Sequence, residues 1–149
     1  MKQARTFSMA DITGKKDVVR EAVASGKIQL KPSTIARIRK GSIAKGDALA
    51  AAEVAAVLAA KNTPQMLPFC HPIPITNVVS EAKMGSSSIM VRSTVRTTAK
   101  TGVEMEALTA ASTYLLTVWD MVKQYEKDSR GQYPGTRIEE LRVLSKTKG

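Results

Sequence analysis

Between Ser88 and Thr98 apolar and polar residues change places at nearly every step. Ile89, Val91, Ser93 and Val95 hold one parity, and Met90, Arg92, Thr94 and Arg96 hold the other. A period of two predicts a strand with one wet face. Ile75 to Met84 carries a similar pattern, and Gly85 with its serines between the two segments predicts a hairpin. From Val18 to Leu30 the alternation is looser: Ala22, Ala24, Ile28 and Leu30 share a parity, which favours a strand with Gly26 at a bulge, while a helix competes for the same residues. Arg137 to Leu144 is the last strand candidate.

Helical periodicity governs the remaining segments. Gly46 to Asn62 is rich in alanine, with Asp47 placed for the positive end of a helix dipole and Leu49, Ala52, Ala56 and Ala60 on one face of small side chains. From Gly102 to Tyr125 the residues Val103, Ala107, Ala111, Leu115, Val118 and Val122 recur at steps of three and four, the stripe of a long amphipathic helix. A shorter helix follows Pro32, with Ser33 or Thr34 as its cap and Gly41 as its end. Pro68, Pro72 and Pro74 forbid both helix and central strand, so LPFCHPIPI is a stiff loop or an edge. The order β, α, α, β, β, α, β predicts an α+β fold of ferredoxin-like kind, an antiparallel sheet packed with helices and carrying one extra helix. One domain over residues 1–149 is expected, with a flexible arm at 1–10 and a basic tail at 145–149.

Composition adds constraints rather than a fold. With 149 residues, 43% hydrophobic and 24% charged, the chain has the make-up of an ordinary globular domain. A single cysteine excludes an intrachain disulfide framework, and no apolar run is long enough to span a membrane, so the cytoplasm is the expected compartment. The charge is the unusual feature: 23 Lys and Arg against 13 Asp and Glu leave +10. Phosphates on a small molecule, a nucleic-acid backbone and an anionic membrane would all satisfy it. One Trp, three Tyr and two Phe make no stacking array, which argues against a dedicated single-strand binder.

Candidate chemistry gathers at a few positions. Asp120 and Lys123 stand three apart on the long helix, hence on one face, and the flanking Trp119, Met121 and Val122 are expected to bury the pair in part and perturb its titration. Glu104 and Glu106 lie in the first turn, where the dipole favours carboxylates and where they could also read a guanine-like edge. The 14 steps from Glu106 to Asp120 span roughly 21 Å of helix, so one small substrate cannot touch both on one chain. Lys45 precedes a helix N-terminus, a place suited to phosphate, and Lys61 closes the same helix. His71 beside Cys70 is half of a zinc ligand set at most, which favours a rigid hydrogen-bonding role, and Cys70 reads as a small buried group rather than a nucleophile. No glycine-rich phosphate loop is present, so side chains must grip any triphosphate.

Two blocks, KGDALAAAEVAAVLAAKNTPQMLPFCHPIPI and KTGVEMEALTAASTYLLTVWDMVKQYEKD, resemble the signature blocks of the molybdenum-cofactor biosynthesis protein C family, and the likeness runs from about Met9 to Leu144. The resemblance implies a ferredoxin-like subunit in a homo-oligomer, a hexamer built as a trimer of dimers, with active sites at subunit interfaces. It implies conversion of 3′,8-cyclo-7,8-dihydroguanosine triphosphate into cyclic pyranopterin monophosphate and pyrophosphate. By the same resemblance Asp120, Lys45 and Lys123 are catalytic, Phe69, Cys70 and His71 contact substrate with Met105 and Glu106, and Arg20, Lys61 and Glu104 complete the pocket. Phe69, Trp119 and Val122 stand where the family usually has Leu, Tyr and Cys, and the C-terminus is shorter than the usual glycine- and lysine-rich tail.

The expected mechanism is general acid–base catalysis without a resident cofactor or metal, magnesium accompanying the triphosphate at most. Either Lys45 and the Asp120–Lys123 pair come from different subunits, or the substrate they act on is held at its other end by a neighbour's Glu106. The competing readings are a basic nucleic-acid-binding module and a non-catalytic oligomeric family member. The intact Lys45, His71, Asp120 and Lys123 speak against the latter, and no specific nucleic acid or membrane partner is expected.

Overall fold

The computed structural model describes residues 6–149, so Met1 to Arg5 of the N-terminal arm lie outside the described residues. Its elements run β1 (Val18–Gln29), α1 (Pro32–Lys40), α2 (Ala48–Lys61), α3 (Thr63–Met66), β2 (Ile75–Met84), β3 (Ser88–Ala99), α4 (Glu104–Glu126) and β4 (Arg137–Lys148). The four strands form one antiparallel sheet in the order β2-β3-β1-β4, an α+β architecture. No described helix is long and apolar enough to cross a membrane.

The central pair explains why the strand reading of Val18–Leu30 prevails over a helix. β1 lies against β3 in unbroken register from Val18↔Ala99 to Gln29↔Ser88, so Ala22, Ala24 and Ile28 share the core side of the sheet with Ile89, Val91 and Val95. Against that face α4 lays the predicted stripe of Ala107, Ala111, Leu115, Val118 and Val122, each fully buried. Ala52, Ala56 and Ala60 of α2 are equally buried, and such small side chains let two helix backbones approach closely. The outward parity of β3 carries exposed Met90, Arg92 and Arg96.

Gly26 is not itself bulged. The extra residue sits on β4: Ser25 faces Arg142 and Lys27 faces Glu139, so Glu140 and Leu141 oppose one residue of β1, and Glu140 takes a left-handed φ of 58°. Glycine is needed opposite them because a Cβ there would lie 2.8 Å from Leu115 Cδ1 and 3.3 Å from Leu141 Cδ1. Gly26→Ala is therefore expected to destabilise the fold by about 1–3 kcal/mol, the usual cost of overpacking, read as a lower denaturant midpoint at constant slope.

Other boundaries depart from the sequence expectation for local reasons. β4 runs four residues past Leu144, because Ser145, Lys146, Thr147 and Lys148 pair with β1; most of the predicted basic tail is strand. Thr63-Pro64 begins a further helical turn, α3. Neither Ser33 nor Thr34 caps α1: its N-cap is Lys31, without a side-chain bond. Instead the buried Glu126, from the end of α4, accepts the Lys31 N–H at 3.1 Å and the Thr34 hydroxyl, and also takes the Thr136 hydroxyl at 2.7 Å. A carboxylate at the positive end of a helix is favourable there, whichever part of the chain supplies it.

Candidate active site

Three predicted residues meet where α4 passes the start of α2. Asp120 Oδ1 accepts from Lys123 Nζ at 3.1 Å, one turn along the same helix, and stands 3.4 Å from Lys45 Nζ. Lys45 also donates to the Asp120 backbone carbonyl at 2.8 Å. Asp47 makes the approach of Lys45 possible: it caps α2 by accepting the Ala50 N–H, and Gly46, at φ 117°, turns the chain into that cap. The hydrogen bond from Lys123, then the charge of Lys45, holds the Asp120 carboxyl below the usual aspartate range. Asp120 is consequently an anion near neutral pH, able to accept a proton or to stabilise developing positive charge between two ammonium groups.

Two expectations about this cluster are corrected. The Asp120 side chain is 60% exposed, not partly buried. Adjacent helix residues point about 100° apart, so sequence neighbours cannot roof it: Val122 enters the core, and Trp119 pairs with Tyr133 in a T-shaped contact at 5.2 Å between centroids. Nor do Lys45 and the Asp120–Lys123 pair need separate chains, since one chain brings all three together.

A second constellation forms at the opposite end of α4. The proline loop places Cys70 so that its thiol donates to Glu106 Oε2 at 3.5 Å. Glu106 is 1% exposed and its Oε1 has no hydrogen-bond partner among the described residues. Burial pushes its carboxyl above the usual glutamate range, and burial together with the Glu106 charge pushes the Cys70 thiol up to about 11, which leaves that thiol a weak nucleophile. His71 Nε2 lies 2.8 Å from the Ala10 carbonyl, so this nitrogen carries the proton and donates. Phe69 is half exposed and stacks on Phe7 at 6.3 Å with nearly parallel rings, and Met105 is also exposed.

Beside it, Arg20 is nearly buried and donates to the Ala99 and Lys100 carbonyls at 3.2 and 3.3 Å. Lys146 Nζ donates to Glu104 Oε1 at 2.8 Å; burial opposes ionisation of Glu104, but the lysine holds its carboxyl below the usual range. A cavity of about 130 Å³ opens between Arg20, Glu104, Lys146 and Lys148, and a neighbouring one of about 310 Å³ is edged by Lys15, Lys16, Arg20 and Lys148. The sequence analysis names none of these four lysines: Lys146 and Lys148 fall in the segment 145–149 that it reads as a tail, and Lys15 and Lys16 belong to no motif. No apolar alternation marks Ser145 to Lys148 as a strand: all four residues are polar and exposed, and only pairing with β1 extends them. Lys61 joins neither constellation: it is exposed at the end of α2, beside Val57, Ile75 and Asn77.

The high Glu106 carboxyl has a consequence for stability. A group whose folded-state value lies above its unfolded one stabilises the fold at acid pH and costs stability as pH rises through the folded value. Wild-type stability should therefore decline above about 4.5, the ordinary value, as Glu106 is forced to ionise in its buried site. Glu106→Gln removes that ionisation, so denaturation midpoints measured against pH should fall less steeply for the variant.

The chain is also similar to known proteins over nearly its whole length. A relative from Methanoregula boonei is 55% identical over 141 residues, covering 95% of this chain and 91% of the relative. One from Sulfolobus acidocaldarius is 56% identical over 140 residues, covering 94% and 98%. A third, from Pyrococcus furiosus, is 54% identical over 140 residues, covering 94% and 90%. Each bears the name "probable cyclic pyranopterin monophosphate synthase". The family model described as MoaC family matches residues 9–149, which contain every candidate residue of both constellations, and the chain belongs to that family.

Proposed function

We propose that this chain is a cyclic pyranopterin monophosphate synthase of molybdenum-cofactor biosynthesis, converting 3′,8-cyclo-7,8-dihydroguanosine triphosphate into cyclic pyranopterin monophosphate and pyrophosphate. The observation that carries the reading is the Lys45–Asp120–Lys123 cluster, a carboxylate between two accessible ammonium groups, in a member of a family whose relatives bear that name. Ring opening and rebuilding require protons to be taken up and returned at several atoms, and Asp120 with a lysine is suited to that exchange. Closure of a ribose-derived hydroxyl on the innermost phosphorus then expels pyrophosphate, whose charge cationic side chains stabilise. Arg20, Lys146 and Lys148, with Lys15 and Lys16 close by, supply such charge around the cavities at the start of α4.

We read the subunit as one ferredoxin-like domain, since the strand order β2-β3-β1-β4 with helices after β1 and β3 suits that description. A hexamer, built as a trimer of dimers in the cytoplasm, completes the reading. It lets the phosphate-facing end of one α4 meet the Lys45–Asp120–Lys123 end of a neighbour's, which about 21 Å of helix forbids within one chain. The reading requires no resident metal or cofactor; any magnesium would accompany the triphosphate.

Incubating the purified protein with the cyclic triphosphate should release one pyrophosphate per pterin product formed. Absence of both products from correctly assembled protein would overturn the assignment and leave a non-catalytic family member. If sequence-selective binding of labelled oligonucleotides survived high salt in the same preparation, the basic surface would instead be read as a nucleic-acid interface.

A further inference from the structure

Lys45 lies on the loop between α1 and α2, and an exposed lysine on a four-carbon stem does not hold an ion pair by itself. Something must fix the loop against α4. Ile43 contributes by burying its side chain. The directional contact is at the next residue: the Ala44 N–H donates to the Tyr125 hydroxyl at 2.8 Å. Apart from the reach of Lys45 itself, this is the hydrogen bond joining the 41–47 loop to α4 among the described residues.

Tyr125 is itself held on three sides. The Arg37 guanidinium lies over its ring at 4.5 Å from the centroid. Lys31 Nζ donates to its carbonyl at 3.2 Å. The adjacent Glu126 is buried on the Lys31 N–H and on the Thr34 and Thr136 hydroxyls. The last turn of α4, which also carries Lys123, is thus a fixed post, and Tyr125 extends from it to the residue preceding Lys45.

We propose that Tyr125 is a positioning residue for Lys45: its hydroxyl, by accepting the Ala44 N–H, sets the loop so that the Lys45 ammonium rests on the Asp120 carbonyl and carboxylate. Its consequence for turnover rests on the catalytic reading of Lys45 given above. The device is separable from folding. Ala44 is solvent-exposed, so water can satisfy its N–H when the hydroxyl is absent. Phenylalanine at 125 also keeps the ring under Arg37.

Two measurements on the full-length assembled protein test this. Timed acetylation with peptide mass analysis reports how freely each lysine meets solvent; in Tyr125→Phe the Lys45 rate should rise about threefold or more, with Lys61 unchanged as the internal control, since loss of one hydrogen bond is worth a factor of that order. In an Asp120→Asn background, where Lys45 has lost the carboxylate but keeps the 2.8 Å bond to the backbone carbonyl of residue 120, the same substitution should still raise the Lys45 rate, by less. Turnover in Tyr125→Phe should fall about five- to tenfold in kcat with KM nearly constant, the mark of a group displaced from its transition-state position. Arg37→Gln, which leaves the hydroxyl but loosens the ring, should move both readouts in the same direction by less. An unchanged Lys45 rate in Tyr125→Phe, or a rise shared equally by Lys61, would overturn the proposal. A rise confined to Lys45, with kcat at wild-type level in both Tyr125→Phe and Lys45→Ala, would support Tyr125 as the positioner while removing Lys45 from catalysis.

Discussion

Lys123→Ala is expected to reduce turnover by at least about a hundredfold, the lower end of what a general acid or base contributes, while leaving fold and assembly intact. The structural side of this expectation comes from exposure. The Lys123 and Asp120 side chains are 42% and 60% exposed, and an ion pair in that setting contributes little to stability. The chemical side comes from geometry: at 3.1 Å, Lys123 is the closest cation to the Asp120 carboxylate and the main reason that carboxyl lies low. Lys123→Arg separates two roles. A guanidinium would keep Asp120 ionised and preserve the charge, yet it does not give up a proton near neutral pH. If the lysine cycles its proton, the arginine variant stays inactive although its thermal midpoint matches wild type. Wild-type turnover in the arginine variant would show that charge alone suffices, and Lys123 would then be only an electrostatic clamp.

Much of this cluster was legible before any coordinates, and the parts that were not share a cause. Period-two alternation located β3 and period-three-to-four spacing located α4, because both patterns are consequences of one buried face that local sequence reports directly. Lys45 was legible as a residue before a helix N-terminus, but not as the partner of Asp120; that contact is 75 residues away in sequence and exists only because the small faces of α2 and α4 pack together. The expected shielding of Asp120 failed because it used sequence adjacency where helix geometry needs i±3 and i±4. Thr34 looked like a cap, and its hydroxyl is indeed used at that helix start, but by Glu126 from 92 residues away. Lys146 was lost because a strand at a chain end was read as a tail. In each case residue type pointed to the right chemistry, and the missing information was which distant segment would arrive.

Mixing two inactive variants should restore activity if the two ends of α4 serve one site in different chains. Glu106 and Asp120 sit on one helix, separated by roughly 21 Å of axial rise, and the reacting rings of the substrate are much shorter than that. Within a chain the two ends keep separate partners: Glu106 faces Cys70 at one, while Lys123 and Lys45 face Asp120 at the other. Lys123→Ala and Glu106→Gln are the pair to use, glutamine keeping the volume of a fully buried side chain whose loss would open a cavity. Suppose each site takes Lys123 from one chain and residue 106 from its partner. A mixed dimer then holds one site with both groups wild type and one with neither. Random exchange at equal amounts makes about half the dimers mixed and half of their sites intact, so about a quarter of wild-type turnover should return. Mass measurement of the exchanged oligomers shows whether mixing occurred. Turnover at parental levels in oligomers proven to be mixed would mean that Lys123 and Glu106 do not meet across an interface. The catalytic site would then lie wholly at the Asp120 end of one chain, and the buried Glu106 would be left to hold the proline loop through Cys70.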